Sequence, residues 1–374
     1  MPFVDQLNKA LQESKPLIQI VLGPRQVGKT TGILQLSKQA TDPRYAYYSA
    51  DGDIARPQDW LLERWYAVKS DKEKEVLIID EIQNIENWSP LVKKLWDEQR
   101  LEKRFLKLVL LGSSSLDIQK GLEESLAGRF QVHNVFHWSF QESNKAYGIS
   151  FDEYLLYGGY PGAYRFIKDR EKWLSYMKNS IVDAVIGKDI LNQVRVRSPA
   201  LFRQAYDIAM LYACQEISYT KLLGQLQDKG NTDLVKYYLN HYEGAFLLRS
   251  LFKYSKKHHL KRSSSPKILP MCPALYSINL DADLNQEELG RSFESIVGAA
   301  LCRLPGRLYY WRERNQEVDF IYQEGKKLVA IEVKYNSRKE SKGLGAFKNK
   351  YPSAKILLIN KDNFLDMEAL LADY

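Results

Sequence analysis

Through the first 145 residues, short runs of consecutive apolar residues alternate with stretches whose apolar positions recur every three to four residues. Each run closes on a small or acidic residue. Ile18 to Leu22 leads into Gly23, Val76 to Ile79 into Asp80 and Glu81, and Leu108 to Leu111 into Gly112 and three serines. A short run apolar on both faces predicts a strand buried between helices, as in a parallel α/β sheet. Tyr45 to Ser49 predicts another strand. Phe3, Val4, Leu7, Ala10 and Leu11 share one helical face, and helices are expected from Lys29 to about Ala40 and within 51–69. Open sheets of this kind bind ligands at the carboxyl ends of their strands.

Beyond residue 145 the pattern changes. Gly158-Gly159-Tyr160-Pro161 predicts a kinked turn between helices. A long helix is expected over 171–191, with Trp173, Leu174, Met177, Ile181, Val185 and Ile186 inward as lid and core. Residues 199–254 read as a winged helix-turn-helix. Its helices span 201–214, then run from the Ser218 cap to Gln227, and from the Thr232 cap to about Glu243. Phe246 to Leu248 and Leu251 to Tyr254 are the expected wing. Lys253, Lys256, Lys257, His258, His259, Lys261, Arg262 and Lys267 then form a basic run, read as a solvated loop or a phosphate-contacting arm. Pro270 and Pro273 break the chain. After them come a helix over 288–304, strands at 308–311, 317–322 and 328–335, a helix over 338–350 and a strand at 355–360. The expected division is 1–145, 146–198 (helical lid), 199–273 (winged helix) and 274–374.

The strand ends carry the chemistry. Gly23-Pro24-Arg25-Gln26-Val27-Gly28-Lys29-Thr30-Thr31 has the spacing of a phosphate-binding loop, between a strand and a helix as that motif demands. Gly23 and Gly28 let backbone N–H groups turn inward around phosphate oxygens, and the helix start adds its positive dipole end. Lys29 is expected to reach the β- and γ-phosphates of ATP, with the Thr30 hydroxyl on Mg²⁺. Asp80 is the expected metal support, and Glu81 the group that polarises the attacking water. Ser113 or Ser114 fits a γ-phosphate sensor, a role compatible with capping the next helix. Arg129 reads equally as an arginine finger, in cis or from a neighbouring subunit, and as a surface arginine.

Composition narrows this only slightly. The 374 residues carry a formal charge of +8, which permits a polyanion such as DNA as partner without requiring one. Cys214, Cys272 and Cys302 are far apart and form no C-x-x-C pair, which suits a reducing cytosol and argues against a zinc site or disulfide framework. With no apolar leader and no membrane-length apolar run, a cytoplasmic protein without membrane association is expected.

Gly23 to Thr31, Ile79-Asp80-Glu81-Ile82-Gln83, Leu111 to Ser114 and Leu126-Ala127-Gly128-Arg129 together resemble the bacterial and archaeal AAA-type ATPases that end in a nuclease-like domain. The resemblance implies an additional-strand, catalytic-glutamate P-loop ATPase fold, then a winged helix, then an α/β nuclease-like domain. On the last of these, strand alternation places Glu332 and Lys334 on one face, with Asp319 on the paired strand and Glu294 on the preceding helix. Helix, three strands, helix, strand with D…E-x-K resembles the PD-(D/E)xK nuclease fold. That implies Mg²⁺ on Asp319 and Glu332, Lys334 beside the reacting phosphate, and Glu294 as auxiliary acid.

The function expected from these readings is an Mg-dependent ATP-hydrolysing switch that controls a winged helix and nuclease-like module, acting on DNA. The alternative is a regulatory scaffold, with nucleotide-controlled oligomerisation or protein-partner binding and an inactive nuclease-like domain.

Overall fold

The computed structural model describes residues 2–14, 16–38, 44–52, 54–100, 102, 104–112, 125–191, 196, 198–226, 231–255, 264–336 and 341–372. The chain divides into two compact units. One holds Met1–His137 together with Gly187–Gln193, the other Trp138–Ile186 with Val194–Tyr374.

The first unit is built on five parallel strands, β1 (Ile18–Leu22), β2 (Tyr45–Ser49), β3 (Val76–Asp80), β4 (Lys107–Gly112) and β5 (Phe130–Asn134), in the order β2-β3-β4-β1-β5. Strand β4 therefore lies between the strand that leads into the glycine loop and the strand that ends in the acids. Strands β1 and β3 are buried along their whole length. Helices α1 (Pro2–Leu11), α2 (Lys29–Lys38), α3 (Pro57–Ser70) and α4 (Trp88–Gln99) accompany the sheet. Trp65, Trp88 and Trp96 pack with Ile20, Leu77, Ile79 and Leu110 in one core. Burial of such large apolar surface is the main force holding the sheet and helices together.

The second unit opens on two short helices. Two capping boxes, Ser139 with Glu142 and Ser150 with Glu153, start helices Phe140–Tyr147 and Phe151–Tyr157. Phe140 and Phe151 stack edge-on, and Phe151 meets Phe293. The expected long helix begins at Arg170–Ser175 and continues as wide π-type turns over Tyr176–Val182 and Val185–Leu191.

Helices Pro199–Leu211, Tyr219–Gln225 and Thr232–Gly244 follow. Asn231 caps the third, its side chain accepting from the Leu234 amide, where the sequence pointed to Thr232. The ribbon behind them pairs β6 (Leu248–Leu251) with β7 (Lys267–Pro270), antiparallel, and Ala213 and Glu216 bridge onto β7. The partner strand expected at Leu251 to Tyr254 is thus replaced by one sixteen residues further on. Pro270 closes β7 opposite Leu248, at the strand end. Of the basic run, residues 256–263 lie outside the described set, as do Lys229 and Gly230.

A second sheet has the order β11-β10-β9-β8, from β8 (Arg307–Glu313), β9 (Gln316–Glu324), β10 (Lys327–Val333) and β11 (Lys355–Ile359). Only the β10–β11 pair is parallel. Helix Gln286–Leu301 packs Phe293, Ile296 and Val297 against Phe320, Val329 and Ile331. Helix Lys342–Lys350 covers the other face through Leu344 and Phe347. Among the described residues no helix is long and apolar enough to cross a membrane.

Candidate functional site

At the carboxyl edge of the first sheet, β1 delivers the glycine loop and β3 the two acids. Gly23 lies so close to the Val135 carbonyl that a Cβ would overlap it. Gly28 has φ +88, a left-handed conformation that favours glycine. Lys29, only 8% exposed, donates to the carbonyl oxygens of Gly23 and Pro24 at 2.8 Å each. Burial pushes its ammonium down to about 8, with Glu81 and Asp80 pulling the other way. The Thr30 hydroxyl donates to Asp80 Oδ2 at 2.8 Å. The loop and the acids, fifty residues apart in sequence, therefore meet in one place.

Asp80 is 5% exposed and fully engaged. The Tyr47 hydroxyl also donates to Oδ2, at 2.8 Å, and the Glu81 amide donates to Oδ1 at 2.9 Å. Glu81 itself leaves the strand with φ +54, which turns its side chain away from the strand's alternation. Its carboxylate is bonded by the Gln83 amide. Burial and the Asp80 charge raise the Glu81 carboxyl above the ordinary range. A hydroxyl and a carboxylate in contact, beside a buried ammonium and a second carboxylate, form a donor set that fits a Mg²⁺–triphosphate group: Thr30 and Asp80 would hold the ion, and Lys29 the phosphates.

Sequence reading missed two contributors. Tyr47 carried no motif, and only the pairing of β2 beside β3 brings it to Asp80. Asp189 lies in the π-type turn that returns to the first unit. Arg25 Nε donates to both Asp189 oxygens at 2.7 Å. A carboxylate 164 residues away from its partner leaves no local signal.

The expected sensor serines, Ser113 and Ser114, lie outside the described residues. Arg129 corrects one expectation. The Ile18 amide donates to the Arg129 carbonyl, so this residue sits at the entry end of β1, opposite the glycine loop. Five strand residues separate the two, roughly 17 Å. Its guanidinium holds Asp97 at 2.9 and 3.0 Å, so a cis contact with the loop is not made.

In the second unit, the carried-over residues come together, with one addition. Asp319 Oδ2 accepts from the Val333 amide at 2.8 Å. Lys334 Nζ lies 2.9 Å from Glu332 Oε1, and Glu332 is 3% exposed. Between Glu294, Glu317 and Asp319 stands Lys267, 1% exposed. Sequence reading assigned it to a solvated or phosphate-contacting run. The structure overturns that, because Lys267 lies in β7, every residue of which is buried, with its ammonium among acids. Burial alone would lower its ammonium, but Glu294, Asp319 and Glu317 hold it well above the ordinary lysine range. Among the described residues no group of three or more His, Cys, Asp or Glu is placed to hold a metal ion. Lys267 Nζ already stands among Glu294, Glu317 and Asp319, the acids near which the nuclease resemblance implies Mg²⁺.

Comparison with known proteins agrees on the first unit. Residues 15–144 match the AAA domain family, 149–284 a domain of unknown function (DUF8612) and 289–370 another (DUF4143). An uncharacterised protein of Methanocaldococcus jannaschii is 23% identical, over 92% of this chain and 80% of that one. One of Haemophilus influenzae is 24% identical, over 78% and 74%. Among solved structures, the Thermotoga maritima RuvB Holliday junction branch migration motor is 15% identical, covering 67% of this chain and 88% of that one, with a TM-score of 0.36. AMPPCP-bound DnaA from Aquifex aeolicus is 16% identical, covering 65% and 86%, at 0.32. Residues 15–144 match the AAA domain family, and their parallel sheet fits a P-loop NTPase fold.

Proposed function

We propose that the protein is an Mg-dependent, ATP-hydrolysing switch whose nucleotide state controls the module that follows, acting on DNA. The observation that carries this is the Thr30–Asp80 contact beside the carbonyl-held Lys29. Bound Mg²⁺ would supply charge neutralisation on the triphosphate. The chain's own part is to bind and orient. Lys29 exchanges two neutral carbonyls for phosphate oxygens, a stronger charge-assisted partner. Thr30 and Asp80 hold the ion. The raised Glu81 carboxyl is suited to take a proton from the attacking water. Asp189, tied to Arg25 in the loop, lies three residues past the point where the chain leaves the second unit, which supports a nucleotide signal travelling along that segment. Arg129 reaches a nucleotide only on a neighbouring copy, so assembly completes the site in this reading.

Three helices closed by an antiparallel ribbon support a winged helix, and the basic balance supports DNA as its partner. The experiment is a pair of variants. Lys29→Ala is expected to lower ATP turnover roughly 10²–10³-fold, and Glu81→Gln to bind ATP without turning it over. Normal steady-state hydrolysis by both would remove the reading.

One observation favours a second reading, a regulatory scaffold that binds a partner or assembles under nucleotide control. Lys267 already pairs with Glu294 and Asp319, two of the acids that the nuclease resemblance invokes. Light scattering with and without ATP tests assembly, and an unchanged mass counts against it.

A further inference from the structure

Lys267 and Lys334 pair much of the acidic centre, while among the described residues Glu332 Oε2 is buried with no hydrogen-bond partner. Lys267 Nζ lies 2.5 Å from Glu294 Oε1, 3.5 Å from Glu317 Oε1 and 3.6 Å from Asp319 Oδ1, and 3.4 Å from the Asp319 carbonyl oxygen. Asp319 Oδ2 is taken by the Val333 amide, Glu332 Oε1 by Lys334, and Glu317 Oε2 has Arg312 at 3.9 Å. The Phe320 ring faces the ammonium, 5.4 Å from its centroid. The lysine is also anchored by its backbone. It pairs with Leu251 across the ribbon and with Glu216 through a bridge, and the side chain is 1% exposed.

Carboxylates gathered around one buried point need a cation there, because an unpaired buried charge is costly. Mg²⁺ meets that need with oxygen ligands at roughly 2.0–2.1 Å in octahedral geometry. An ammonium meets it with hydrogen bonds at longer range, and its positive charge repels a divalent ion from the same space. We propose that Lys267 is the resident cation of this centre, standing where a divalent ion would otherwise be needed, so that the native chain takes up no Mg²⁺ there. This rests on the reading of 274–374 as a nuclease-like module. It deepens that reading: the cation of the module comes from the ribbon that closes the preceding three helices, so the acidic centre and the ribbon are one electrostatic unit.

The test is Mn²⁺ binding by the full chain without nucleotide, read from the electron paramagnetic resonance signal of the unbound ion. In the wild-type chain, Asp319→Asn and Glu332→Gln are expected to leave Mn²⁺ occupancy unchanged. Lys267→Met is expected to gain one site, and adding Asp319→Asn to it should weaken that site at least about tenfold. Wild-type binding that falls in Asp319→Asn or Glu332→Gln overturns the proposal while leaving the nuclease-like reading standing. A folded Lys267→Met chain with no added site overturns both. Should Lys267→Met fail to fold by circular dichroism, the wild-type comparison decides alone. With no nucleotide present, none of these results bears on the ATPase reading.

Discussion

Lys29 and Lys267 are both almost wholly buried, yet they are held in opposite ways. Lys29 faces the neutral carbonyls of Gly23 and Pro24, and burial lowers its ammonium to about 8. Lys267 faces three carboxylates, which overcome burial and raise it. A cation among dipoles gains by exchanging them for an anion, whereas a cation among carboxylates has nothing to gain. The first is the state of a site awaiting phosphate, and the second that of a closed ion cluster. The difference teaches that a matching sequence motif does not specify a site's readiness: the charge already in place does.

Removing each lysine separates the two cases most sharply. Lys267→Met leaves Glu294, Glu317 and Asp319 without their shared cation, and is expected to cost about 3–5 kcal/mol. Lys29→Met removes a charge whose hydrogen bonds go to carbonyls, with Glu81 and Asp80 acting only through space, and is expected to cost clearly less. Chemical denaturation without divalent ions or nucleotide measures both. Equal losses in the two variants would break the comparison.

A pH series sharpens it. Below about pH 8, Lys29 is charged before and after a nucleotide arrives. Above that value binding must take up a proton, because phosphate restores the lysine's charge. Mg-ATP affinity should therefore fall by up to about tenfold per pH unit between 8 and the ordinary lysine value of 10.5. Calorimetric titration from pH 7 to 9.5 checks this, and a flat affinity would count against the lowered ammonium.

The smallest expected effect concerns the contact that no motif announced. Asp189→Asn removes the charge opposite Arg25, whose side chain is 30% exposed. With that exposure discounted, the loss should be about 1 kcal/mol. The informative readout is protease cleavage within 187–193 with and without ATP: wild type should change with nucleotide and the variant should not. Identical patterns in both would show that the Arg25 contact carries no signal.

Much of the first unit was legible because its signals are local. Glycine spacing, the apolar run of β3 and the acids at its end each lie within a few residues, so the loop, Asp80 and the parallel sheet could be read directly. The ribbon was not. Its second strand lies past residues 256–263, and Lys267 read as the end of a basic run where it is the first residue of a buried strand. The contact of Phe151 with Phe293 was likewise hidden, since the two lie far apart along the chain.

By itself the sequence determined the chemistry of the phosphate loop, because backbone curvature there needs particular glycines and the ligating groups are neighbours in the chain. Only the tertiary structure decided which charges meet. Asp189 on Arg25, Tyr47 on Asp80, Arg129 on the far edge and Lys267 inside the acidic centre all depend on strand order and on which face of each element is buried. Electrostatic energy depends on separation in space and on loss of water, and neither is written in residue spacing.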